Sequence, residues 1–116
     1  MIYYEDLLGL PYEALGNCYG LVVEAARRDG KTLKNPFENL KNAPEEIVEN
    51  DYNYRVNIKE IDHAEPGAIV EFYYGGGVHV GFMLNNTLVL HSTHDRGVRT
   101  THIKALKPAH FFEVIQ

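Results

Sequence analysis

A single cysteine, Cys18, in 116 residues leaves no partner for an intramolecular disulfide, so packing alone must hold the fold. Basic residues are also in deficit, eleven Lys and Arg against sixteen Asp and Glu, and the formal charge of −5 opposes binding to a phosphate backbone. Nucleic acid is not an expected partner. No apolar run approaches the roughly 18 residues that a bilayer span needs, so no membrane span is expected. The first residues, Met1-Ile2-Tyr3-Tyr4-Glu5-Asp6, carry acids where a signal peptide carries basic residues. Synthesis in the cytoplasm without a classical export signal is the expectation. Repeats and low-complexity tracts are missing too.

What is present is enough for one domain over residues 1–116, with 45% hydrophobic and 11% aromatic residues. A polar stretch from Lys31 to Glu60 separates two apolar halves and reads as an insertion. From Cys18 the chain suits a helix, with Leu21, Val22, Ala25 and Ala26 on one side, Arg27 and Arg28 near its end, and Gly30 as its stop. Pro44-Glu45-Glu46 reads as the first turn of a short second helix. After Pro66-Gly67 the pattern becomes β: Ala68 to Tyr74, Val78 to Leu84, Thr87 to Thr93, Val98 to Ile103 and His110 to Ile115. A helix followed by a meander predicts an α+β fold with an antiparallel sheet of about five strands. Gly75-Gly76-Gly77 lacks the Lys-Ser/Thr and helix start of a phosphate loop, and reads as a hairpin connection.

Strand alternation separates Val80, Phe82 and Leu84 from His79, Gly81 and Met83. A three-residue loop Leu84-Asn85-Asn86, with Asn86 in the left-handed region, sets Val80 beside Leu90 and Phe82 beside Leu88. That register gives one coherent apolar face and puts His79 directly opposite His91. A two-residue Asn85-Asn86 turn would mix the faces.

A thiol at the start of a helix is placed where the macrodipole and unpaired N–H groups favour the thiolate. If the helix tip meets the His79 face, Cys18 and His79 form a nucleophile and base, and His91 is the group that orients the base. The rival chemistry is a zinc site built from Cys18, His79, His91 and His94. The sequence has neither a Cys-x-x-Cys nor a His-Glu-x-x-His signature, and no metal is expected. The inert alternative makes Cys18 a small core hydrophobe. His63, His102 and His110 receive no role.

Five segments in order resemble the NlpC-type cell-wall cysteine peptidases, the NlpC and p-sixty family of papain-like bacterial enzymes. They are Gly9-Leu10-Pro11-Tyr12, Asn17-Cys18-Tyr19-Gly20-Leu21-Val22, Pro66-Gly67-Ala68-Ile69-Val70-Glu71-Phe72, His79-Val80-Gly81-Phe82-Met83-Leu84, and Leu90-His91-Ser92 with Gly97-Val98. The resemblance implies a papain-like fold and cleavage of peptidoglycan stem peptides, commonly between γ-D-glutamate and a diamino acid, through a thioester. It implies that Cys18 attacks, His79 serves as base and then acid, and His91 orients His79. Backbone N–H at Cys18 and the Tyr12 hydroxyl would form the oxyanion hole, and no cofactor is implied.

Asn17 and Tyr19 stand where the family has Asp and Ser beside the nucleophile, so they are expected to alter substrate choice. A bare domain of this kind resembles a phage tail hydrolase or an effector delivered by a specialised apparatus. Its expected place of action is then the periplasm or wall, with a tail or immunity protein as partner. The alternatives are the same triad acting as a non-wall amidase or acyltransferase, and a catalytically idle structural or binding module.

Overall fold

The computed structural model describes residues 2–36, 56–74 and 77–115. Among them are one α-helix and a six-stranded antiparallel sheet, the α+β arrangement predicted from the sequence. The helix, α1, spans Cys18–Arg28. The strands are β1 (Ile58–Ile61), β2 (Ile69–Tyr74), β3 (Gly77–Met83), β4 (Leu88–Thr93), β5 (Gly97–His102) and β6 (Lys107–Val114), in the spatial order β1-β6-β2-β3-β4-β5. No helix among the described residues is long and apolar enough to cross a membrane. The turn expected at Pro44 lies outside the described residues.

Both ends of α1 follow from its sequence. Asn17 caps the start, its side-chain oxygen accepting the Gly20 N–H at 3.0 Å. At the other end Gly30 adopts φ 78°, Gly30 N–H reaches the Arg27 carbonyl, and Lys31 N–H reaches the Ala26 carbonyl. This paired closure needs a left-handed residue, for which glycine carries no Cβ penalty. Arg28 does more than complement the dipole: its guanidinium grips both oxygens of Asp6 at 2.6 and 2.9 Å and tethers the N-terminal segment.

The sheet must curl. His102 and Lys107 are joined by a four-residue link, which reaches at most about 18 Å. In a flat sheet β5 and β6 would lie about 19 Å apart across β4, β3 and β2, before any offset along the strands. The link, with a 3₁₀ turn at Ile103–Ala105, instead folds over one face, where Ile103 and Leu106 join Val70, Phe72, Met83 and Val89 in a core of their own. The other face carries Ile69, Val80, Phe82, Leu84, Leu90 and Phe112, and these pack with Leu21, Val22 and Ala25 of α1.

At the free edge of β5 the N-terminal segment adds two backbone hydrogen bonds, Gly9 N–H to Val98 O and Val98 N–H to Leu10 O. At the opposite edge β1 pairs with β6. Its sequence Ile-Lys-Glu-Ile offers only four residues, two of them charged, so it merges with the polar stretch in which it was read as an insertion. β6 begins three residues before the His110 start expected from sequence. Pro108 fits because the register against β2 shifts between Glu71 and Phe72, leaving room for a residue that cannot donate to the ladder.

Candidate functional site

The two hairpin-related histidines share a face, as the alternation demands, but not the expected register. Gly81, not His79, is opposite His91, and Phe82 pairs with Leu90 rather than Leu88. The loop explains the two-residue slip. Asn85 Oδ1 accepts the backbone N–H of both Thr87 and Leu88 at 2.8 Å, so the turn runs from Asn85 to Thr87 and closes through Leu84 N–H to Leu88 O. Among the described residues no non-glycine residue has positive φ, so Asn86 does not take the left-handed role assigned to it. An Asx turn supplies the reversal instead.

Beyond the Gly81–His91 pair the β3–β4 ladder stops, although both strands continue. His79 therefore stands one pleat past the end of the ladder, still paired with β2 through Phe72. The His79 and His91 rings both meet Phe72, with centroids 5.9 and 5.2 Å away, the first stacked and the second edge-on. Tyr74 closes on His79 edge-on at 5.7 Å.

His91 is fully buried, and its Nε2 lies 2.7 Å from Thr101 Oγ1 on β5. Burial, then the charges of Arg99 and His79, bring its pKa down to about 4. It is a neutral imidazole at pH 7. Thr101 and Arg99 were not singled out from sequence; the alternation of β5 against β4 was the signal that could have put them beside His91.

Cys18 is the first residue of α1 and is buried, as is Tyr12 in the preceding 3₁₀ turn, Tyr12–Leu15. Tyr12 lies under the ring of His94 at a centroid distance of 3.7 Å. Gly20 permits this close approach of the turn to the helix: a Cβ there would sit 1.7 Å from the Leu15 carbonyl oxygen. Asn17 is also buried, its oxygen engaged in the helix cap. Tyr19 is wholly buried on the sheet-facing side, where burial raises its pKa and the nearby Glu71 and Cys18 add to the shift.

The body of α1 thus packs on the Val80–Phe82–Leu90 face, whereas the imidazoles point to the Phe72 face. The strands that α1 lies against are β3 and β4, whose ladder ends at the Gly81–His91 pair. A further buried acid, Glu71, sits on the α1 face, and burial pushes its pKa up to about 7 against the opposing charge of His110. It was missed because a Glu in an apolar strand gives no sign of its surroundings.

Among the described residues no three His, Cys, Asp or Glu side chains converge on a point that could hold a metal ion. His63, His102 and His110 engage Asp62, the Lys104 N–H and Glu60 respectively. No family model and no curated protein matches this chain.

Proposed function

We propose that this protein is a papain-like cysteine hydrolase that cleaves amide bonds of peptidoglycan stem peptides. One observation carries the reading. The helix that begins with Cys18 packs on β3 and β4, the two strands that carry His79 and His91 on one shared face.

In this reading His79 takes the thiol proton and Cys18 attacks the amide carbon, giving a tetrahedral oxyanion that the Cys18 N–H and the Tyr12 hydroxyl stabilise. Collapse breaks the C–N bond as His79 returns the proton to the leaving amine, and a thioester remains. Water, deprotonated by His79, then hydrolyses the thioester and regenerates the thiol. His91 suits the orienting role because it stays neutral: a protonated His91 would oppose the charge that His79 gains. Asn17 and Tyr19 support the reading as scaffold, through the helix cap and the core, rather than as groups exposed to substrate.

The test is digestion of purified stem peptides by wild type and by Cys18→Ala, with free amine release as readout. Loss of release in the variant is expected; equal release from the two proteins would remove the thiol from the mechanism. A panel of other acyl donors separates a wall peptidase from an amidase or transferase.

A second reading, an idle structural module such as a phage tail component, is favoured by the complete burial of Cys18 and by the packing of α1 on the face away from the imidazoles. It predicts no turnover by wild type on any of these substrates.

A further inference from the structure

A cleft of about 590 Å³ is lined by Tyr73, Tyr74, Arg96, Arg99, Thr101 and Lys107 among others, and two of these, Tyr74 and Thr101, contact His79 and His91. Its three charged lining residues are all cations, in a chain whose net charge is −5. They come from separate segments, Arg96 from the β4–β5 turn, Arg99 from β5 and Lys107 from the start of β6. Arg27, Arg28 and Lys31 are each held by carboxylates, but among the described residues Arg96, Arg99 and Lys107 form no ion pair.

Arg99 is also held in place. Its Nη1 donates to Thr93 Oγ1 at 2.6 Å, and its guanidinium carbon stands 5.4 Å from the centre of the Tyr74 ring. Asp95 feels the Arg99 charge, but its two oxygens already accept from Thr93 Oγ1 at 2.7 Å and Tyr74 OH at 3.0 Å. That leaves one edge of a planar, always charged fork directed to other partners, the geometry that a carboxylate fits with two parallel hydrogen bonds. The volume is that of a small-ligand site.

We propose that this cleft binds a carboxylate-bearing peptide or small acid, with Arg99 as the fork and Arg96 and Lys107 as flanking charges. The site is independent of Cys18 chemistry, and its test reads binding alone. Thr101 is one of its lining residues, however, and its hydroxyl contacts His91, so the cleft adjoins that histidine.

The experiment is an amide-resonance titration of the full chain with N-acetyl-Glu-Glu, with the uncharged N-acetyl-Gln-Gln amide and inorganic phosphate as separate arms. Saturable shifts at Arg99 and Thr101 are expected with the acidic dipeptide and none with the neutral one. Arg96→Ala with Lys107→Ala, both at exposed positions, should weaken binding about tenfold or more while leaving the spectrum folded. Arg99→Lys, which keeps the charge and loses the fork, should weaken the dipeptide more than it weakens phosphate. Equal binding of the neutral dipeptide, or no loss in the double variant, overturns the site. Phosphate binding as tight as that of the dipeptide overturns the carboxylate assignment.

Discussion

Thr101 Oγ1 lies 2.7 Å from His91 Nε2, a side-chain contact diagonal to the β4–β5 pair His91–Arg99. It fixes one ring nitrogen of a fully buried imidazole, and among the described residues Nδ1 of the same ring has no hydrogen-bond partner. Thr101→Val keeps the shape and removes the hydroxyl, leaving a buried ring nitrogen unsatisfied at a cost of about 1–3 kcal/mol. Thr101→Ser should recover most of that loss. Chemical denaturation reads the stability, and the His91 ring resonances report whether the imidazole turns.

Two buried groups give opposite pH slopes. Glu71, with a pKa raised from 4.5 to about 7, ionises more readily in the unfolded chain, so its burden on the native state is absent below pH 4.5 and grows as pH rises to 7. His91, lowered from 6.5 to about 4, does the reverse: stability is intact above pH 6.5 and is lost as pH falls to 4. Each is worth on the order of 3 kcal/mol at full extent, and across pH 4.5 to 6.5 they offset each other. Wild-type stability should therefore look flat in that window. Glu71→Gln should unmask a rise with pH, and His91→Gln a fall, when urea midpoints are followed from pH 4 to 8. Parallel profiles for the two variants would contradict this assignment.

Gly81 and Gly20 should differ in tolerance. An alanine Cβ at Gly81 would sit 2.6 Å from Val89 Cγ1, 3.1 Å from the Leu90 carbonyl oxygen and 3.3 Å from His91 Cβ, and the shortest of these contacts is one that side-chain repacking relieves in part. Gly81→Ala should cost about 1–3 kcal/mol and displace His91. At Gly20 the clash at 1.7 Å is with a backbone oxygen, which moves only if the turn before α1 does. Gly20→Ala is expected to cost more than Gly81→Ala and to lower the helical circular dichroism, whereas Gly81→Ala leaves it unchanged.

Asn17→Ala removes the cap acceptor for Gly20 N–H, at a cost of about 1 kcal/mol. Asn17→Asp restores an acceptor and adds a negative charge at the helix start, so it should equal or exceed wild type in thermal midpoint at pH 7. An Asp variant less stable than the Ala variant would mean that burial of the new charge dominates.

The sequence made α1 legible to within a residue because its apolar side, its late arginines and its glycine stop agree with one another. The side of the sheet on which each β3 and β4 residue lies was legible as well, since only an even-numbered register keeps Val80, Phe82 and Leu90 together. The register itself was not, because it is set by where Asn85 folds its side chain back onto the chain. Nor was the relation of helix to sheet: periodicity orients a side chain on its own element, but which sheet face α1 covers depends on the whole curl of β2 to β6. Thus the shared face of His79 and His91 was legible in the sequence, whereas their expected direct pairing was not, since Gly81 stands opposite His91.

The hydrogen bonds between Gly9, Leu10 and Val98 have a consequence for self-association. Without residues 1–10, β5 would present a bare row of donors and acceptors alongside the buried Val98, a template onto which a second molecule could add its own strand. The N-terminal segment is in that sense a guard against fibrillar stacking, and its tether from Asp6 to Arg28 is what keeps the guard in place.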